Sequence, residues 1–554
     1  MRLIHQKTIY ISLFCSLLCT PLSAQFLPDF SDNSSDTEYS SSTSLKNNED
    51  ELSHHSVAAN DFLNTLGINS SLWTRSEKLD KVIECIKYCG FRWVRSGSME
   101  DYSIEKYRRL YEETGAKVSY GGAPPKVIEE GKELASIGVL LAFEGPNEPN
   151  NWTVEFEGEI GGGSGTWLPV AKYQANLYES VKAEPELAKY PVFGVSEVGG
   201  MVDNVGLQYL TIPEGANTMM PDGTRFADYF NIHNYVTHPG WWGLHDNQTW
   251  VAASPYSDCR VDGLYGNQCV LWHKKWKGLS EQEVASLPRV TTETGTTIND
   301  EYDIDEEMQA KLLTNLYLAQ YKRGWSYTAV YLLSDRTDEG GNQTFGFYKR
   351  GYPDYKPRQA AHYMHNFTTI LADDAHASTQ AGGISYYIQG NNNNTVHDLL
   401  LRKSNGRYFL IIWGENYKSA ASEISIQLDK KYGTIKVYDI TKGINATKIY
   451  TDTDVVPLSV KDYAFILEFN ENSESVNIEK NNIEQLHYFN QASELHLIGN
   501  ASIRTLSIYN IGGTRVLYQE FPENIVSLAN LPKGSYIIQT TNINGKKKVK
   551  KIVK

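Results

Sequence analysis

Two glutamates stand where an apolar, strand-like run breaks into a polar turn. One lies in Phe143-Glu144-Gly145-Pro146-Asn147-Glu148-Pro149-Asn150 and the other in Val290-Thr291-Thr292-Glu293-Thr294-Gly295. A carboxyl group that keeps its proton and a carboxylate that keeps its charge together supply acid–base and nucleophilic chemistry. Charged residues at strand ends are mostly solvated or ion-paired, so Glu148 and Glu293 become candidates only through the elements that bring them together. Glu144 is a third carboxylate, expected to lie deeper in its strand, behind the other two.

Apolar β-like runs alternate with helical patterns over 59–373. The runs are 67–69, 91–95, 117–121, 139–144, 192–196, 229–233, 289–293 and 327–333, with helical periodicity at 76–88, 104–114, 125–137, 170–181, 306–323 and 357–373. Eight such units predict an α/β chain built as a (β/α)8 TIM barrel, whose functional groups sit at the C-terminal ends of the strands. Glu148 and Glu293 then close strands four and seven. No G-x-G-x-x-G follows the first run, which argues against a doubly wound dinucleotide-binding sheet. Beyond the barrel, short alternating segments at 384–389, 397–401, 408–413, 423–428, 435–439 and 462–468 predict an antiparallel β-sandwich over 374–470. A polar linker at 471–484 leads to a small all-β unit at 485–554.

In this register the chain resembles the clan A retaining glycoside hydrolases, the barrel enzymes of the cellulase, mannanase and xylosidase superfamily, in which "N-E-P" closes strand four and a glutamate closes strand seven. The resemblance implies Glu148 as acid/base and Glu293 as nucleophile in a double displacement. Retention requires the two carboxyl groups to stand about 5–5.5 Å apart. Glu148 is expected to hold its proton near neutral pH beside an ionised Glu293, and hydrogen bonds are expected to keep Glu293 charged. The resemblance further implies that Asn147 bonds the sugar 2-hydroxyl and that Arg95 orients the nucleophile. From His233-Asn234-Tyr235, it implies that the tyrosine hydroxyl donates to the nucleophile and that His233 lines the cleft. Many relatives carry a tryptophan at the end of strand eight, whereas here the strand reads Val330-Tyr331-Leu332-Leu333, with Tyr331 in its place.

The segment 236–287 is longer than a barrel loop needs and carries Trp241, Trp242, Trp250, Trp272 and Trp276. Long loops in compact domains are usually functional, and indole rings suit sugar faces as well as loop cores. Trp241 and Trp242 are therefore substrate-binding candidates, with Trp73 and Trp152 as further ones. Gly161-Gly162-Gly163-Ser164-Gly165 reads as a flexible rim; it lacks the lysine ending of a phosphate loop. Cys259 and Cys269 are candidates for a bridge. Cys85 and Cys89, four apart on one helix, are awkward for a disulfide and equally well read as buried thiols.

The chain of 554 residues carries 52 Lys and Arg against 66 Asp and Glu, a formal charge of −14, so there is no basic field to attract nucleic acid. Residues 1–24 have the positive start, short apolar run and small-residue end of a signal peptide, and 25–58 are polar enough to predict a disordered leader. No other apolar run is long enough for a stable membrane span. The last residues alternate as a β-unit, with Gly512-Gly513 at a turn, Leu531-Pro532-Lys533-Gly534-Ser535-Tyr536, and a lysine-rich end at 546–554. They resemble the C-terminal sorting domain of the type IX secretion system, which implies that machinery as a partner and a secreted or cell-surface location.

Together these readings predict a secreted glycoside hydrolase that cleaves a β-linked polysaccharide, endo-acting on β-glucan first, with β-mannan or xylan next. It would need neither cofactor nor metal. An exo-acting β-xylosidase or arabinofuranosidase is the alternative within the clan. A glycan-binding surface protein without chemistry is the alternative outside it.

Overall fold

Eight parallel strands succeed one another as the alternation predicts: Leu66–Asn69, Trp93–Gly97, Lys117–Gly121, Leu140–Glu144, Val192–Phe193 continued by Glu197–Val198, Phe230–His233, Arg289–Thr294 and Trp325–Val330. The computed structural model describes residues 53–554 except 76, 99–100, 150–151, 163–165, 199–222, 238–242, 254–282, 284–285, 337–343, 350–354, 375–381, 471–484 and short stretches between 490 and 546. Each strand pairs with the next, and the eighth pairs with the first through Thr328, Ala329 and Val330. The fifth strand is split. Its first half pairs with strand four and its second half with Ile232 and His233 of strand six, which closes the ring.

Helices on the outside answer the predicted periodicity. Leu79–Cys89 ends on Gly90 at φ 75, a left-handed cap that glycine adopts without a Cβ penalty. Ile104–Thr114 starts on Ser103 and Glu306–Lys322 on Asp305, each side chain accepting from a backbone N–H of the first turn. Val82, Ile83, Ile86, Val118, Leu134, Leu140, Leu313 and Leu316 belong to one continuous core between helices and strands. Cys85 and Cys89 are buried in it as free thiols. Burial pushes the Cys89 thiol up to about 12, so it stays protonated and packs as an apolar group.

After helix Gln359–Leu371 the chain builds an eight-stranded, largely antiparallel sheet. Two of the expected strands, 423–428 and 435–439, are one long strand, Ser422–Asp439. Its early residues pair with Tyr386–Gln389 and its later ones with Phe465–Asn470. Its other partner is Ala446–Val460, a strand that the polar, exposed run around Lys448 and Asp452 hides from an apolar-alternation reading. The last residues of the span expected to be a leader, 25–58, form strands. Ser53–His55 pairs with Gly383–Ser385 and Val57–Ala58 with Leu401–Arg402, because strand pairing here is made by the backbone and does not need apolar side chains.

The sheet has two apolar faces. Along Tyr408–Gly414, Leu410 and Ile412 face the sheet's own core, while Phe409, Ile411 and Trp413 join the barrel core, as the two-residue period of a strand requires. Asn315 on helix Glu306–Lys322 donates to Gly414 O at 2.9 Å and Asp462 O at 3.1 Å. The loop beyond strand six is held to the same sheet. The carboxylate of Glu415 accepts from the backbone N–H groups of Thr249 and Trp250, both at 3.0 Å, and from the Thr249 hydroxyl.

Burial pushes the Glu415 carboxyl up to about 7, against the pull of those hydrogen bonds. The folded state then binds the proton more tightly than an unfolded chain titrating near 4.5. Stability from this group is full below that value, is lost as pH rises to about 7, and is level above it, a change on the order of 3 kcal/mol. Glu415→Gln is expected to remove this component. The check is Tm against pH for both proteins, and parallel curves between pH 5 and 8 would refute the assignment.

A third region forms two antiparallel sheets. Gln485–Phe489, Glu494–Ile498 and Ile525–Ser527 make one; Arg515–Glu520, Ile503–Asn510, Ser535–Asn542 and Lys547–Val553 make the other. Leu495, Leu506, Ile508, Val526, Tyr536 and Ile538 form their common core. The lysine-rich final strand is an edge strand, where lysines discourage pairing with other chains. Among the described residues no helix is long and apolar enough to cross a membrane.

Candidate active site

Strand four delivers Glu148 through a tightly constrained turn. At Gly145 a Cβ would lie 1.9 Å from Gln174 Oε1 and 3.2 Å from Val195 N, so a larger residue would have to displace the Gln174 side chain. Gln174 is in turn fixed by donating to Phe226 O at 2.7 Å. The Glu148 N–H donates to Ser196 O at 2.8 Å, tying the end of strand four to strand five. Glu148 itself sits at φ 40, in the left-handed region that non-glycine residues avoid. Such strain persists only where surrounding structure enforces it, and it concentrates at functional sites.

Strand seven delivers Glu293 to the same place. One carboxyl oxygen of Glu148, one of Glu293 and a ring nitrogen of His233 lie within 4.8 Å of one another. The two acids are 145 residues apart in sequence yet face each other, with side chains 11% and 13% exposed.

Arg95, in the middle of strand two, binds both acidic strand ends. Its guanidinium pairs with Glu293 and with Glu144 Oε1 at 2.7 Å, and Nη2 donates to Asn147 Oδ1 at 2.7 Å. Burial opposes the arginine charge, but Glu144 and Glu293 more than offset it and hold it above the ordinary arginine value. Tyr235 donates its hydroxyl to Glu293 Oε2 at 2.9 Å. Burial, and then the Glu293 charge, push the Tyr235 phenol well up, so it remains a donor. Burial raises the Glu293 carboxyl above its ordinary value, while His233, Arg95 and Tyr235 pull it down. The hydrogen bonds expected to keep Glu293 charged are thus present, but burial outweighs them.

His233 differs from expectation. The resemblance has it lining the cleft, whereas it is fully buried. Its Nδ1 meets Glu148 Oε1 at 2.7 Å and its Nε2 meets Thr292 Oγ1 at 3.0 Å. The histidine lies behind the acid because it is on strand six itself, where side chains point into the packed barrel. Glu144 is buried as expected, bonded by Ser119 at 3.0 Å and Thr292 at 2.8 Å.

Tyr331 stands at the site's edge. Its ring lies 5.6 Å from Phe345, which is itself 5.9 Å from Tyr235. Trp152, four residues past Glu148, donates its backbone N–H to Glu148 O at 2.8 Å and is 65% exposed. Trp250 leaves the expected aromatic wall. It stacks on His397 at 4.0 Å with Arg323 over its ring, as part of the contact between barrel and sandwich. Trp73 packs edge-on against Tyr107. Trp241, Trp242, Trp272, Trp276, Cys259 and Cys269 lie outside the described residues. So does most of the glycine-rich rim, although Gly161 ends a strand paired with Val154–Phe156.

Sequence reasoning missed Asn69, Ser119, Asn231 and Thr292. Asn69 donates to Thr292 O at 2.8 Å, and Asn231 donates to Thr292 Oγ1 at 2.9 Å. Asn69 and Ser119 are the register neighbours of Arg95 on either side. Polar residues buried within short, otherwise largely apolar strand runs were the available signal. Among the described residues, Glu148, His233 and Glu293 are the one group that gathers potential metal-ligating atoms. Glu148 Oε1 and His233 Nδ1 bond each other, and Arg95 and Tyr235 take the two oxygens of Glu293.

Residues 488–554 match the family model described as the secretion system C-terminal sorting domain. No curated protein matches the chain in sequence. Solved structures similar to it include CelM2, a bifunctional glucanase-xylanase from a metagenome library, at 11% identity and TM-score 0.45, covering 76% of this chain and 99% of that one. A glucosidase from Croceicoccus marinus matches at 11% identity and TM-score 0.43, with 76% and 99% covered. The endo-β1,6-glucanase BT3312 matches at 11% identity and TM-score 0.41, with 77% and 94% covered. The sorting domain marks the chain for secretion or display at the cell surface.

Proposed function

We propose that this protein is a secreted retaining glycoside hydrolase that cleaves a β-linked polysaccharide by double displacement. The observation that carries the reading is that one carboxyl oxygen of Glu148 and one of Glu293 lie within 4.8 Å of each other, an approach that suits the close pair of a retaining enzyme, about 5–5.5 Å apart, better than the wider pair of an inverting one, about 6.5–9.5 Å apart. Glu293, oriented by Arg95 and Tyr235, attacks the anomeric carbon while Glu148 protonates the departing oxygen. Glu148 then takes a proton from the water that releases the sugar. With Asn147 Oδ1 held by Arg95, its amide nitrogen is the part presented to a sugar hydroxyl. Exposed Trp152, on the acid's side, offers an indole face to the leaving portion of a polymer.

β-Glucan cut within the chain is the first substrate to test, with β-mannan and xylan next. Product analysis by chromatography on purified polysaccharides decides among them. Silence on every β-glycan would favour a binding role instead.

The acid limb of the pH profile belongs to Glu293, which must be ionised to attack. Because burial raises that group, kcat/KM is expected to fall with decreasing pH at a midpoint above the usual 4.5 of a glutamate. A profile still level at pH 4.5 would contradict the assignment.

A further inference from the structure

Hydrogen bonds on opposite sides of the His233 ring fix where its proton sits. The Thr292 hydroxyl has one hydrogen, and Glu144 Oε1, paired with Arg95, accepts it at 2.8 Å. Asn231 Nδ2 donates to the same hydroxyl at 2.9 Å, and Asn231 Oδ1, at 3.2 Å, is a second and more distant acceptor for its hydrogen. The remaining contact, His233 Nε2 to Thr292 Oγ1 at 3.0 Å, therefore needs the hydrogen on Nε2. A neutral His233 with hydrogen on Nε2 turns a bare lone pair on Nδ1 toward Glu148 Oε1, 2.7 Å away. An ionised Glu148 would put two acceptors in contact.

We propose that Glu148 and His233 hold one proton between them, and that Thr292 makes this so by setting the histidine tautomer. His233 and Thr292 are positioning residues for the proton donor. This deepens the glycoside-hydrolase reading and rests on it. When the glycosidic C–O bond breaks, its electron pair and the shared proton go to the leaving oxygen. The pair remains as a carboxylate facing a lone pair, a strong base for the water of the second step. That water gives its hydroxyl to the anomeric carbon as the Glu293 ester bond breaks, and its proton restores the pair. The charged groups around the ring are Glu148, Glu293 Oε2 at 3.6 Å, Arg95 on Glu293, and Glu144 behind Thr292; Tyr235 faces Glu293.

In Thr292→Val nothing demands a hydrogen on Nε2, so the ring is expected to turn its N–H toward Glu148 and stabilise the carboxylate. The alkaline limb of kcat/KM should then move down by at least one pH unit on 4-methoxyphenyl β-D-glucoside, about tenfold in rate above the limb. It should not move on 2,4-dinitrophenyl β-D-glucoside, whose leaving group needs no acid. Thr292→Ser should restore the wild-type limb. Independently of activity, nitrogen NMR of the histidine-labelled full chain, with the His233 signal identified by its loss in His233→Gln, should show a protonated Nε2 between pH 6 and 8. A neutral ring protonated at Nδ1 overturns the proposal, as does an unmoved limb in Thr292→Val. If the wild type is silent on both glucosides and on every β-glycan, the hydrolase reading fails on its own while the NMR result still decides the tautomer.

Discussion

Glu293→Gln is expected to lower kcat/KM on the preferred β-glycan by on the order of 10⁵-fold, about 7 kcal/mol of transition-state stabilisation, with the fold intact. The amide cannot form the glycosyl ester, yet its carbonyl still accepts from Arg95, and the Tyr235 hydroxyl can turn to accept from its NH₂. Glu148→Ala is a different case. Its loss of roughly 10²–10⁴-fold is expected on substrates whose leaving group needs a proton and not on activated aryl glycosides. Azide separates the two roles. With Glu293→Ala it attacks the substrate directly and gives an α-glycosyl azide; with Glu148→Ala it attacks the glycosyl-enzyme and gives a β-glycosyl azide. The same azide anomer from both variants would refute the assignment of roles.

Arg95→Met should be the most damaging single change to stability at the site. It leaves Glu144, with its side chain 2% exposed, and Glu293, at 13%, without their shared cation. Removing one partner of a buried ion pair typically costs about 3–5 kcal/mol, because the remaining charge is left uncompensated. Adding Glu144→Gln to Arg95→Met should recover much of that loss, since it removes one of the stranded charges. Thermal unfolding of the two singles and the double measures the coupling. Strict additivity would mean that the guanidinium does not hold the carboxylates together. The acid limb should also move further up in Arg95→Met, with one of the influences lowering Glu293 gone.

The barrel and the candidate pair were legible because both write a periodic or positional signal into the chain. Apolar runs separated by helical periodicity locate all eight strands, and Asn147-Glu148-Pro149 and Thr292-Glu293-Thr294 mark breaks at two of their ends. What stayed hidden depends on contacts between distant segments. Strand Ala446–Val460 has too many exposed polar side chains to show an apolar alternation. Ser53–His55 is a strand only because Gly383–Ser385 offers it a backbone edge. Trp250 reads as a sugar-stacking candidate until His397 and Arg323, from other elements, are found on its two faces. His233 is the clearest case: its chain position places it at the site, but only the fold shows it bonded between Glu148 and Thr292 rather than open to the cleft.

Double displacement requires Glu293 to attack and Glu148 to deliver and recover a proton on the opposite side of one sugar. Proton NMR of the hydrolysis as it proceeds, on the first β-glycan found to be cleaved, reads this directly from the anomer released before mutarotation. The β-anomer is expected to accumulate first and then decay toward equilibrium. Initial release of the α-anomer would mean that water displaces the leaving group in one step, and the double displacement through Glu293 would be wrong.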